Sequence, residues 1–136
     1  MREIKFRAWD KSNEEMINFD EIEGINFEGE FLYIGTSKNL ECILGFEFAE
    51  LMQYTGLKDK HGKEIYEGDL CKSYNGYIQE VVWKDNSWMY KMKVNKKYQG
   101  EAYVEIVYSS MGDTSHRNFG DEIIGNIYEN PELVEG

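Results

Sequence analysis

Between Ser87 and Val94 the chain alternates with period two: Trp88, Tyr90, Met92 and Val94 on one side, Met89, Lys91 and Lys93 on the other. Successive side chains of an extended chain point to opposite faces, so this pattern describes a strand with one face on a core. A second alternation opens the chain. Ile4, Phe6 and Ala8 oppose Lys5, Arg7 and Trp9, and Asp10-Lys11-Ser12-Asn13 follows with the short polar side chains of a turn. Met16 to Phe19 then reads as the return strand of a hairpin.

Further short strands are predicted at Ile25-Asn26-Phe27 and Phe31 to Ile34, flanking a Gly-centred turn at Glu28-Gly29-Glu30. Residues 40–53 are ambiguous. Phe46, Ala49, Glu50 and Gln53 fit a short helix stopping near Gly56, while Leu51 to Leu57 fits a strand, so a short helical turn followed by a strand is expected. Lys58 to Lys63 is a polar turn in which Gly62 supplies positive φ; Glu64 to Tyr66 and Leu70 to Ser73 are strand segments around a second turn at Glu67-Gly68-Asp69.

Asn75-Gly76 is a hairpin signal, because both residues tolerate positive φ. Tyr77 to Trp83 is a strand, and Lys84-Asp85-Asn86 turns the chain into the Ser87 alternation. Asn95 to Gly100 reads as a polar loop, Tyr103 to Tyr108 as a strand, and Ser109 to Phe119 as an exposed loop. Ile123 to Tyr128 is the last strand, with Pro131, which cannot donate to a ladder, expected to end it and a single helical turn after it.

Short strands between Gly, Asn and Asp turns make a mostly-β chain, a small barrel or roll with at most short helices. The segment from Ile65 to Tyr128 has the strand count of an SH3-like β-barrel. The expected organisation is an N-terminal arm over residues 1–50, with a hairpin and additional strands, and a barrel over 51–136, or one unit over 1–136. Aromatic residues at 15% favour strands, and a single Pro with thirteen Gly fits a turn-rich globular chain.

Charge narrows the partners. Twenty-six acidic against fifteen basic residues leave a net −11, which repels a phosphate backbone at long range and makes duplex DNA an unexpected partner. No apolar run approaches the roughly 20 residues of a membrane helix, and Met1-Arg2-Glu3 leads into a strand rather than the apolar core of a signal peptide, so no membrane association and a cytoplasmic location are expected. Cys42 and Cys71 have neither metal nor redox spacing, and ordinary buried thiols are expected.

Three blocks carry a family likeness. Arg2 to Asp10 (REIKFRAWD), Leu51 to Asp69 (LMQYTGLKDKHGKEIYEGD) and Ile124 to Leu133 (IGNIYENPEL) resemble the YopX family of phage and prophage proteins. The blocks lie at both ends and the middle, and the central one is long and unusual in composition. His61 stands where the family pattern often has Asn, and Cys71 where it often has a β-branched residue. Residues 20–49 and 95–120 have no counterpart in the likeness. The resemblance implies a phage or prophage accessory protein with an SH3-like barrel region, and it brings no activity with it.

Two stretches are candidates for binding. The polar turns of the central block would present Lys58, Asp59, Lys63, Tyr66, Glu67 and Asp69 to a partner; equally, Gly56, Gly62 and Gly68 would fix turns while Leu57, Ile65 and Leu70 pack the barrel. The second stretch interleaves Trp83, Trp88 and Tyr90 with Lys84, Lys91 and Lys93, as β-barrels do when they bind single-stranded nucleic acid. One strand with aromatics inside and lysines outside gives the same sequence. The acidic run from Glu14 to Glu30 reads as a solvated face or an acidic docking surface. His61 and His116 make no metal-ligand pairing, and no phosphate loop or nucleophile elbow is present.

The function expected is therefore a non-enzymatic module that binds a host or phage protein, with single-stranded nucleic-acid binding as the alternative and an enzyme a distant third. No cofactor is expected. Small sheets with exposed edges often pair, so self-association also stays open.

Overall fold

The structure, a computed structural model, describes residues 3–35, 41–73, 76–111 and 121–134. They are mostly β, with three short 3-10 turns and no α-helix. The chain divides into two units, Met1–Tyr54 and Thr55–Gly136.

In the first unit β1 (Phe6–Asp10) and β2 (Glu15–Ile17) form the expected hairpin, with Ala8 opposite Ile17 and Asp10 opposite Glu15. Asp10 sets its turn: one carboxylate oxygen accepts the N–H groups of Ser12 at 3.0 Å and Asn13 at 3.2 Å, and the other accepts the Asn13 amide at 3.0 Å. β3 (Ile22–Asn26), β4 (Phe31–Gly35) and β5 (Glu41–Gly45) make a three-stranded antiparallel sheet. In the β3–β4 turn the left-handed residue is Glu30, at φ 59°, and Asn26 accepts the Gly29 N–H at 2.7 Å. Gly29 is needed there for space, since a Cβ would lie 2.5 Å from the Phe31 ring.

The ambiguous stretch resolves as β5, a 3-10 turn at Phe46–Phe48, and β6 (Ala49–Lys58). The helical turn is thus three residues long, and β5 is a strand the sequence pattern did not mark. The first part of β6 pairs antiparallel with β1, from Gln53 opposite Phe6 to Ala49 opposite Asp10. The apolar spacing there fits either period, and backbone pairing decides between them. Ala8, Ile17, Leu32, Ile34 and Ala49 form the core of this unit.

In the second unit the end of β6 pairs with β7 (Glu64–Tyr66). β8 (Asp69–Lys72), β9 (Ile78–Lys84), β10 (Ser87–Tyr98), β11 (Glu101–Ser110) and β12 (Glu122–Asn126) make a curled five-stranded antiparallel sheet in the order β11-β10-β9-β8-β12. The mostly-β, barrel-like expectation holds. Ile65, Cys71, Val81, Tyr90 and Met111 form the core, with Leu57, Trp88 and Ile123 packed on it.

Two hairpin turns place both central residues at positive φ, Asp85 and Asn86 at 52° and 62° and Gln99 and Gly100 at 51° and 84°. Such turns match the right-handed twist of their strands, so pairing continues up to the turn. The polar stretch Asn95 to Gly100 is accordingly no loop. β10 and β11 pair without interruption from Met89 opposite Ser110 to Tyr98 opposite Glu101. Ser109 and Ser110 also belong to β11, and Met111 is fully buried, so the expected exposed loop does not begin at Ser109. Residues 112–120, with His116, lie outside the described residues, as does Asn75 of the Asn75-Gly76 signal.

β12 ends at Asn126, well before Pro131. The Asn126 side chain ends it by accepting the N–H groups of Tyr128 at 3.0 Å and Glu129 at 2.8 Å. Pro131–Leu133 is the expected single helical turn, of 3-10 type.

Candidate protein-interaction surface

β10 and β11 are twelve and ten residues long, whereas β9 pairs with β10 only from Lys84–Ser87 to Glu80–Lys91. The remainder of the β10–β11 pair is a two-stranded ribbon with the Gln99-Gly100 turn at its tip. Tyr98 is 67% exposed, Tyr103 47%, Val104 55%, Ile106 41% and Tyr108 38%. Directly paired residues share a face, which sorts the ribbon. Val104, Ile106 and Tyr108 line one face beside Asn95, Lys93 and Lys91. Tyr103 lies on the other beside Lys96, whose ammonium pairs with the Glu105 carboxylate. That hydrogen bond and charge raise the pKa of Lys96.

The same sorting divides the aromatic–lysine set. Val81 faces Tyr90 and Trp83 faces Trp88, so Trp83, Trp88 and Tyr90 lie on the core side of the sheet. Lys84, Lys91 and Lys93 lie on the opposite side, where Lys91 faces Glu80. Tyr90 is buried and its hydroxyl donates to Asp121 at 3.0 Å. Trp83 packs edge-on against Trp88 with ring centroids 4.9 Å apart, and Trp83 is 53% exposed. Lys84 sits over the Tyr108 ring, 4.7 Å from its centroid. Lys91 and Lys93 border an open groove of about 340 Å³ together with Tyr77, Leu133 and Val134, and Lys93 donates to the Val134 carbonyl at 3.0 Å.

The central block is mostly internal. Asp59, Tyr66 and Asp69 are buried, leaving Lys58 and Lys63 exposed and Glu67 half-buried. One Asp59 oxygen accepts the N–H groups of His61 and Lys63, each at 2.9 Å, and the other accepts that of Ile123 at 3.1 Å. Burial alone would raise the Asp59 pKa, but these three donors and the nearby His61 outweigh it and hold it below the usual aspartate value. Asp69 accepts the Tyr66 N–H at 2.7 Å, closing the turn in which Gly68 takes φ 87°. The Thr55 hydroxyl donates to the Ile65 carbonyl at 2.7 Å. These groups organise turns, and a partner would meet only Lys58, Lys63 and part of Glu67.

Cys71 is buried beside them. Burial first, then the charge of Asp69, push its thiol up to about 12, with the neighbouring Tyr90 hydroxyl pulling the other way. Cys42 is exposed, contrary to the expectation that both thiols are buried, because it lies on β5 at the margin of its sheet. Among the described residues, no three His, Cys, Asp or Glu side chains are arranged to hold a metal ion, and no helix is long and apolar enough to cross a membrane.

The sequence pattern missed the ribbon because the lysines and asparagine of Asn95 to Lys97 looked like a loop. The continued alternation Val94, Lys96, Tyr98 was the available signal.

Comparison with known proteins agrees with the three sequence blocks. A family model described as YopX protein matches residues 5–135. The crystal structure of protein EF1440 from Enterococcus faecalis is similar at 28% identity and a TM-score of 0.55, over 99% of this chain and 100% of that one. No curated protein matches.

Proposed function

This chain belongs to the YopX family, and on that premise we propose that it is a binding module, not an enzyme, which engages a protein through the β10–β11 ribbon. The supporting observation is the exposure of Tyr98, Tyr103, Val104 and Ile106 on the two-stranded ribbon, with Tyr108 exposed at its base. Aromatic and β-branched side chains on a regular strand give a partner large contact area at little cost in conformational entropy. The family likeness supports a phage or prophage accessory role in the cytoplasm of a bacterium, with a host or phage protein as partner. Affinity capture of the tagged protein from host lysate, with and without nuclease, tests this. A protein retained after nuclease and lost with Tyr103→Ser supports the reading; retention unaffected by changes along the ribbon refutes it.

A nucleic-acid reading keeps one supporting feature, the groove with Lys91, Lys93 and the half-exposed Tyr77. It is the weaker reading, since Tyr90 is buried and the tryptophans lie across the sheet from these lysines. Charge reversal at Lys91 and Lys93 would weaken oligonucleotide binding and flatten its salt dependence. No binding at low salt removes this reading.

A further inference from the structure

β11 is the terminal strand of its sheet, and no described strand lies along its outer edge. Edge strands are ordinarily protected by lysine, proline, a bulge or shortness. β11 has none of these: it is ten residues long, pairs in unbroken register with β10, and its only charges are Glu101 and Glu105. Its outward backbone groups and the side chains of Val104, Ile106 and Tyr108 form a template for another strand.

We infer that the strand completing this sheet is β11 of a second copy, paired antiparallel about a two-fold axis at Ile106. Such an axis stands perpendicular to the sheet, so each residue meets a partner residue from the same face. Only registers in which the axis runs midway between a residue and its own symmetry mate satisfy this. Two of them overlap nearly the whole strand, one centred on Glu105 and one on Ile106. The first sets two Glu105 carboxylates directly opposite each other, and like charges so placed are destabilising. The second sets Ile106 against Ile106 and Val104 against Tyr108, twice by symmetry, and places Glu105 opposite Val107. The apolar positions of β11 are therefore self-complementary in one register and penalised in its only full-length competitor. An isologous contact of this kind closes on itself and makes a dimer rather than a fibre.

Each chain carries −11, so the copies repel at long range, and added salt screens that repulsion. Dimerisation is therefore expected to strengthen with salt, the reverse of binding to a polyanion.

Sedimentation equilibrium of the full chain over a range of concentrations and salt tests the pairing. The expected result is a concentration-dependent doubling of mass that increases with salt. Ile106→Lys, which places two ammonium groups on the axis, is expected to weaken it at least tenfold. Val104→Lys and Tyr108→Glu each weaken it, and the double variant restores it, because the introduced lysine of one copy then faces the introduced glutamate of the other in this register only. Backbone amide exchange of the unmodified protein adds a check free of mutational effects: β11 amides gain protection as concentration rises. A monomer at every concentration, a dimer indifferent to Ile106→Lys, or a double variant no better than the singles overturns the inference. A monomer that still captures a ribbon-dependent partner from lysate overturns only this pairing, and names that partner's strand as the occupant of the edge.

Discussion

Asp59 and Ile123 stand 64 residues apart in the chain, and the carboxylate of the first accepts the backbone N–H of the second at 3.1 Å. One side chain thereby ties the turn after β6 to the strand β12. Asp59→Ala leaves that N–H and those of His61 and Lys63 without their acceptor, and is expected to cost at least about 2 kcal/mol in urea unfolding. Because the folded-state pKa is lowered, this carboxylate contributes stability above its unfolded-state value of about 3.9 and loses it as pH falls through the lower folded value. The unmodified protein should lose stability below about pH 4 more steeply than Asp59→Asn, as read from unfolding midpoints in acid.

Asn126 performs a similar task at the end of the sheet. Besides accepting from Tyr128 and Glu129, its amide donates to the Glu129 carboxylate at 2.8 Å. Asn126→Ala is expected to destabilise by about 1–3 kcal/mol, measured by chemical denaturation. Gly125→Ala should cost a similar amount, about 1–3 kcal/mol, because its Cβ would run into the Asn130 side-chain oxygen. That oxygen is itself engaged by the Asn126 N–H at 3.2 Å.

The two thiols should differ sharply in reactivity. Cys42 is exposed, and Cys71 is buried with its pKa pushed up to about 12. The thiolate is the reactive form, so at pH 8 an alkylating reagent should label Cys42 in the folded protein and reach Cys71 only on unfolding. Peptide mapping of the labelled protein distinguishes the two.

At the ribbon tip, Gln99 holds φ 51° without the short polar side chain that eases this conformation. Gln99→Asn yields Asn-Gly, the favoured pair for such a turn, and is expected to stabilise by up to roughly 1 kcal/mol. A rise in thermal midpoint, with no change in partner binding, is the result to look for.

The blocks that carry the family likeness have, in the structure, mainly architectural roles. Asp59, Asp69 and Thr55 of the central block bond to backbone within their own turns and neighbouring strands. Asn126 and Asn130 of the last block bond to each other's backbone groups and neighbours. The likeness therefore identifies the fold and is silent about the partner. The ribbon lies largely within residues 95–120, where the sequence offers no likeness to reason from.

Local chemistry determined much of this protein from sequence alone. The alternation from Trp88 to Val94 marked a strand, Gly62 supplied its positive φ, and Asp10 closed its own turn, because side-chain period and turn geometry depend only on near neighbours. Tertiary structure decided the rest. Pairing with β1 made β6 a strand where the apolar spacing fitted either period. Pairing with β11 carried β10 through a run of polar residues. Packing drew Asp59, Tyr66 and Asp69 inside, and pairing of β9 with β10 set Trp83 beside Trp88. These outcomes rest on hydrogen bonds and contacts between residues distant in sequence, whose free energy outweighs local preference.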